Sequence, residues 1–571
     1  MWRITSGGEG STNMRNRFLA GLRNWLAKDR VIWLIFTLAL LIRLYDLSSV
    51  PHGFHMDEVA NAYLGRFILL NGQDIHGNRW PFMYVNKYGD YPPAIPMYLA
   101  GLSTFIFGLN ELAARFPAAV IGSLAVFPVY FLFRLLVSQP FALLSALMLA
   151  ILPWHVSLSR ASSEAVIALT VAIWGLFKLF QGGRQKNIKA ILISWPLLAG
   201  TYLLYPSFRV IVPLALAPLP IFFGENKSVK KYLLFTFVFL FSLTLLIGLT
   251  KWGRARYAQT SLFTNVTDAA LIRNDLQGLI FDDGGTSNLY LVRAYHNKLI
   301  GYAQRLFEQY FYYFAPNFLF VKGGSPYRYN IPHVGLIYLS FGIFLLSFLF
   351  PVNLRIERKT INYFLYLLLF GVLPVAITVD DTPNIHRLIF WILPVIFFLV
   401  LGLWRWLEML KRSSSLLRYL AVSCFLGLFA LELIYCAHQY YQHAGSSQAY
   451  KRTDGNKQLA LWLIDRDGVY SDIFAPQVDW LPVYYLFYRN DFSLKYIGTI
   501  PDDFKISKID NIRFLDNVCP SRELPEKTSD PVLRSALVVD QGDCELFSWY
   551  RVVAKISRRD GTIAFKLLVR K

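Results

Sequence analysis

The sequence predicts a polytopic α-helical membrane protein with a C-terminal soluble α/β or α+β domain. Three observations predict it. Long apolar runs recur from Val31 to about Ala437, many of them near the roughly 20 residues that a spanning helix needs. Charged residues are 16% of the 571 positions and hydrophobic ones 55%, against about 25% charged in an ordinary soluble domain. After residue 438 the pattern changes to short apolar runs among charges and turn residues. The expected organisation is a cytoplasmic leader over 1–30, a membrane domain over 31–438 and a soluble domain over 439–571.

The net charge of +20 does not indicate a nucleic-acid partner. The tail over 440–571 is nearly balanced, with 19 Lys/Arg against 17 Asp/Glu, and much of the remaining excess sits in short loops between apolar runs. That is the positive-inside pattern of membrane proteins, not a groove that tracks phosphates. The Arg-rich leader lacks a cleavage pattern and reads as a signal anchor. Cys424 and Cys436 fall in an apolar helix as small hydrophobes. Cys519 and Cys544 lie in the tail, where spacing alone leaves their pairing open.

Spans are expected near 31–46, 114–136, 140–157, 163–180, 188–206, 208–223, 231–250, 333–351, 361–378, 384–404 and 415–438. Arg15, Arg17, Arg23, Lys28 and Arg30 precede the first. Later basic loops hold Lys178, Arg184, Lys186 and Lys189; Lys227, Lys230 and Lys231; Arg355, Arg358 and Lys359; and Lys411, Arg412 and Arg418. These clusters share the cytoplasmic face only if 93–109, which begins with prolines and is short, does not cross. The predicted result is eleven crossings, with the N-terminus inside and the C-terminal domain outside.

Several polar segments then share the outer face: 47–92, the turn from Ser159-Arg160 to Glu164, Tyr205 to Arg209, the long loop 251–332, and Asp380 to Arg387. Adjacent carboxylates such as Asp57-Glu58 beside a bilayer are costly and usually functional. One can take a proton from an attacking hydroxyl or amine while the other fixes a loop or binds substrate. Alternatively, the pair caps a helix. Arg160, Arg209 and Arg387 can hold a phosphate by paired hydrogen bonds or lie along the interface. Tyr88, Tyr91, Pro92 and Pro93, with Lys87 nearby, form a rigid aromatic turn that either anchors at the membrane interface or stacks on a sugar. His55, His386 and Arg328 are further polar candidates. No His/Cys spacing suggests a metal.

The run Leu-Ile-Arg-Leu-Tyr-Asp-Leu at 41–47 is followed by His-Met-Asp-Glu-Val-Ala at 55–60 and Tyr-Gly-Asp-Tyr-Pro-Pro at 88–93. Then come Glu-Leu-Ala-Ala-Arg-Phe-Pro at 111–117 and Ser-Arg-Ala-Ser-Ser-Glu at 159–164. Over about 31–400 this resembles the C-type glycosyltransferase (GT-C) superfamily, in its branch of protein O-mannosyltransferases and lipid A aminoarabinose transferases. The resemblance implies a glycosyltransferase that inverts the anomeric centre. It implies a polyprenyl-phosphate sugar donor, with mannose the family default, and an extracytoplasmic acceptor: protein, lipid or glycan. It places a catalytic acid at Asp57, with Glu58 completing the doublet, and matches Pro92-Pro93, Arg115, Arg160 and Glu164 to family motifs. Arg387 would grip the lipid phosphate. No cofactor or catalytic metal is expected, and the implied location is a plasma membrane, the bacterial inner membrane.

A transporter or flippase of a lipid-linked or anionic solute is the alternative from another class. Transporters commonly carry internal repeats and mid-membrane binding groups. Here no repeat is visible and the polar groups cluster at one face. A polysaccharide ligase or polymerase with a diphosphate-linked donor is a third reading. In the tail, Lys457–Ile464 reads as helix. Pro482–Tyr488, Ala536–Val539 and Ile563–Val569 read as strands of a domain that caps the site or selects the acceptor.

Overall fold

Each of the eleven expected spans coincides with an apolar helix or a bent helix pair in the computed structural model, which describes residues 30–87, 90–223, 225–264, 266–283, 289–352, 356–496, 506–524 and 535–571. The leader before Arg30, together with Tyr88 and Arg355, lies outside the described residues.

In chain order the helices begin with α1 (Arg30–Leu44), α2 (Met56–Asn71) and α3 (Ala94–Phe107). Next come α4 (Glu111–Arg134), the bent pair α5 (Gln139–Ile151) and α6 (Pro153–Arg160), α7 (Glu164–Gln185), α8 (Ile188–Thr201), α9 (Phe208–Phe222) and α10 (Lys227–Leu249). The long loop holds α11 (Lys251–Thr260), α12 (Val266–Asp282), α13 (Leu289–Tyr295) and α14 (Lys298–Tyr312). The broken helix α15 (Leu339–Leu349) leads to α16 (Arg358–Ala376), α17 (Ile389–Lys411) and α18 (Ser415–Ser447). Among the described residues six helices are long and apolar enough to cross a membrane, or seven with the bent pair. The chain is a multi-pass membrane protein, and shorter apolar helices fill the other expected positions.

The bend of 51° between α5 and α6 falls at Pro153. Proline has no N–H, so a carbonyl one turn earlier loses its partner. Arg43, fully buried on α1, supplies donors: its guanidinium reaches the carbonyls of Ala150 at 3.0 Å and Leu149 at 3.4 Å. It also meets His155 Nδ1 at 2.7 Å. A charged side chain this deep is therefore part of the kink. The α2–α3 crossing is equally specific, because a Cβ on Gly65 would overlap the Met97 carbonyl and one on Gly101 would overlap Gly65. The two backbones touch there, which only glycine permits.

The expected non-crossing segment is α3. Its Ala94 and Met97 join the apolar core shared by α2 and the C-terminal domain, while Leu102, Phe105 and Ile106 stay exposed. At the opposite helix ends, Arg184 pairs with Glu357 at 3.1 Å and Lys359 with Glu225 at 2.6 Å. Three of the basic loops thus meet at one face.

The last long helix continues through a π-helical turn to Ser447, past its expected end at 438. The tail then forms α19 (Asn456–Asp465), β1 (Ile473–Pro476), α20 (Leu481–Tyr488), β2 (Lys508–Ile509), β3 (Ile512–Leu515), β4 (Leu537–Gln541), β5 (Tyr550–Ser557) and β6 (Ile563–Arg570). The sheet runs β2-β3-β1-β4-β6-β5, with β1 parallel to β3 and β4 and the other pairs antiparallel. Pro482–Tyr488, expected as strand, is the helix α20. A short, wholly apolar run has no period to read, and Pro482 sits in the first helical turn, where its missing N–H costs nothing. Cys519 and Cys544 are disulfide-bonded.

Candidate active site

The α2 N-terminus builds the site. His55 caps the helix, its Nδ1 accepting from the Asp57 amide at 3.1 Å, while Glu58 Oε2 accepts from the His55 amide at 3.1 Å. This reciprocal cap fixes the doublet and sends its two carboxylates to different surroundings.

Asp57 faces a cavity of about 180 Å³. Lys87 Nζ lies 2.7 Å from its Oδ1, and Arg328 Nη2 lies 3.0 Å from its Oδ2. Its side chain keeps 29% exposure. Burial opposes its ionisation, but Lys87 and Arg328 outweigh burial and hold the carboxyl well below the usual carboxylate range. Glu58 keeps only 4%. Arg115 grips both of its oxygens, at 3.1 and 2.9 Å, and Arg452 of the C-terminal domain adds a contact at 3.0 Å. Burial again opposes ionisation, and the two arginines bring the Glu58 pKa down to about 2.

Six further segments close the cavity. The loop before α3 gives Lys87, Asp90 and Tyr91; the start of α7 gives Glu164; the α8–α9 turn gives Tyr205. Arg256 comes from α11, Arg328 and Tyr329 from the segment after α14, and Asp380, Asp381, His386 and Arg387 from the segment before α17. His386 reaches Ser163 Oγ at 2.8 Å and Tyr205 OH at 3.2 Å, and Glu164 at 4.0 Å. Each cation of the wall is paired: Arg387 with Asp380 at 2.6 Å, Arg256 with Asp90 at 2.9 Å, Lys87 and Arg328 with Asp57. Asp381 has a left-handed backbone, φ 57°, and burial followed by the Asp380 charge raises its pKa.

A second cavity of about 230 Å³ adjoins the first, sharing Tyr205, Pro206, Arg256 and Arg387. Its other walls include Val210, Ile247, Gly248, Pro374 and Ile377, from α9, α10 and the end of α16. A charged chamber therefore opens into an apolar groove between helices, with two arginines at the junction.

Of the residues predicted from sequence, Asp57, Glu58, Glu164, Lys87, Tyr91, Arg328, His386 and Arg387 line the charged chamber. Four others do not. Arg115 is fully buried against Glu58 and the carbonyls of Leu47 and Gly53. Arg160, also fully buried, donates to the carbonyls of Ile42, Arg43 and Val50. Both satisfy backbone carbonyls, of loops and of the last turn of α1. His55 is consumed by the cap. Arg209 lines the apolar groove and donates to Tyr202 O at 2.9 Å. Sequence reasoning missed Arg256 and Arg452. Neither carries a local motif, and each meets its partner only through the fold, Arg452 from 394 positions away. Among the described residues no cluster of His, Cys, Asp or Glu side chains is arranged to hold a metal ion.

The fold has counterparts among known proteins. Residues 90–252 match the sequence model of the dolichyl-phosphate-mannose-protein mannosyltransferase family. The fold is that of ArnT from Cupriavidus metallidurans, solved bound to undecaprenyl phosphate. The match has a TM-score of 0.52 and 13% identity, covering 95% of this chain and 98% of that one. The archaeal oligosaccharyltransferase AglB from Archaeoglobus fulgidus, solved with an inhibitory peptide and a dolichol-phosphate, is similar at TM-score 0.45 and 16% identity. That match covers 85% of this chain and 66% of AglB. No curated protein matches the chain by sequence. Over 90–252 the chain carries that family's sequence pattern, and its architecture is the C-type glycosyltransferase fold.

Proposed function

We propose that this protein is a membrane glycosyltransferase that moves a sugar from a polyprenyl-phosphate donor to an extracytoplasmic acceptor. The observation that carries this reading is the junction of a charged chamber holding Asp57 with an apolar groove, bridged by Arg256 and Arg387. A polyprenyl chain fits an apolar groove between helices, and its phosphate then rests at the two guanidiniums, which favour bidentate contact with phosphate oxygens.

The acceptor hydroxyl or amine attacks the anomeric carbon and loses its proton to Asp57. The bond from that carbon to the phosphate oxygen breaks, and its electron pair stays on the phosphate. A single displacement of this kind inverts the anomeric centre. The phosphate gains charge as it departs, so the arginines stabilise the transition state more than the ground state. They exchange Asp380 and Asp90 for phosphate oxygens. If Arg328 also turns towards the phosphate, Asp57 loses one of the cations that depress its proton affinity and becomes a stronger base when the donor is seated, while Lys87 keeps it oriented. Glu58 positions α2, and Glu164 with His386 and Tyr91 line the sugar and acceptor space. No cofactor enters this scheme.

The basic loops that meet opposite the chamber support an extracytoplasmic site, because positive loops stay in the cytoplasm. The Cys519–Cys544 disulfide fits an oxidising compartment. The location proposed is the bacterial inner membrane. The test is incubation of purified protein with a panel of polyprenyl-phosphate and polyprenyl-diphosphate sugars, reading donor consumption and labelled product. Turnover of a monophosphate-linked donor supports the proposal. Turnover of diphosphate-linked donors alone favours a ligase. Movement of lipid across vesicles with no consumption favours a transporter.

A further inference from the structure

We propose that Trp480 of the C-terminal domain is a positioning residue for Asp57, acting through Lys87. This rests on the function proposed above.

Lys87 is buried. It meets Asp57 Oδ1 at 2.7 Å and Asn61 Oδ1 at 3.4 Å. The Trp480 ring covers it from another direction, its centroid 4.7 Å from Nζ. An aromatic face attracts an ammonium, and the four-carbon lysine stem has many rotamers. The ring therefore selects the one in which the ammonium reaches Asp57.

The ring is itself held. Trp480 and Asp479 both have left-handed backbones, φ 56° and 44°, a conformation that non-glycine residues keep only where their surroundings impose it. Trp480 is the N-cap residue of α20, whose Tyr484 and Phe487 pack on Phe54 just before α2, and the Tyr484 hydroxyl donates to the Phe54 carbonyl. The same apolar core that docks the domain on α2 thus carries the ring to Lys87. The C-terminal domain is in this way part of the catalytic apparatus, beyond any role in capping the site.

The experiment places tryptophan with one to four ring fluorines at position 480 of the full chain by nonsense suppression. Fluorines withdraw the negative face of the ring and leave its shape nearly unchanged. Transfer kinetics are then read beside Trp480→Phe and Trp480→Leu. The expected result is a stepwise fall in kcat, about tenfold across the series, with donor KM within about twofold. Trp480→Phe should retain more activity than Trp480→Leu. A flat series overturns the inference, as does equal loss in the Phe and Leu variants. Either leaves the proposed function intact as long as unmodified protein transfers sugar. Absence of transfer by unmodified protein overturns both.

Discussion

Asp57 and Glu58 are neighbours in sequence but belong to different regions of the molecule. Asp57 stands in a cavity, paired with Lys87 and Arg328. Glu58 is sealed between Arg115 of the membrane domain and Arg452 of the C-terminal domain. Arg452 also donates to the backbone carbonyls of His52 and Arg328. One carboxylate is therefore available for chemistry, while the other joins the domain that carries Trp480 to the loops that carry Asp57 and Arg328. A doublet that looks symmetrical in sequence is split by one helical cap into a half that faces the cavity, the proposed base, and a sealed half that ties two domains together.

The sharpest way to break this contrast is to remove each charge separately. Asp57→Asn should lower kcat by about 10²–10⁴, the usual worth of a placed general base, while the protein still purifies folded. Glu58→Gln should act on stability first. Losing one partner of a buried ion cluster costs about 3–5 kcal/mol, read as a large fall in melting temperature in detergent. If Glu58→Gln melts like wild type, the architectural reading fails.

Acid should reproduce part of the second effect. The Glu58 pKa is about 2 in the folded protein, below its ordinary value of about 4.3. A depressed carboxyl contributes stability that is present above the ordinary value and lost as pH falls towards the folded one. That contribution is on the order of 3 kcal/mol. Wild-type melting temperature should therefore fall between about pH 5 and pH 2, and Glu58→Gln should lose less over that window. Equal slopes would contradict the assignment. The smallest effect expected is on donor binding. Arg387→Gln removes charged hydrogen bonds worth about 1.5–3 kcal/mol, so donor KM should rise about 10- to 100-fold. Arg160→Gln, which removes backbone contacts instead, should leave donor KM unchanged and lower stability.

The membrane domain was legible because length and hydropathy locate a span without knowledge of its neighbours, and the basic loops then order the faces. The convergence of Asp57, Glu164, Arg328 and Arg387 on one cavity follows from that threading. What the sequence hides is side-chain direction. Arg115 and Arg160 stand at helix ends like Arg387, yet they turn inward to loop carbonyls. The neighbouring loop, not the helix, decides. Arg452 and Trp480 sit in a tail without a motif, and their partners are fixed only when α20 packs on α2. The α20 run itself misled because a seven-residue apolar stretch has no periodicity to separate helix from strand.

The most direct test of the account is single-turnover transfer from a polyprenyl-phosphate sugar by wild-type protein and Asp57→Asn, with donor binding measured on both. The account predicts comparable donor binding and product only from wild type, apart from a residue at least about a hundredfold slower. Near-normal product formation by Asp57→Asn would contradict it.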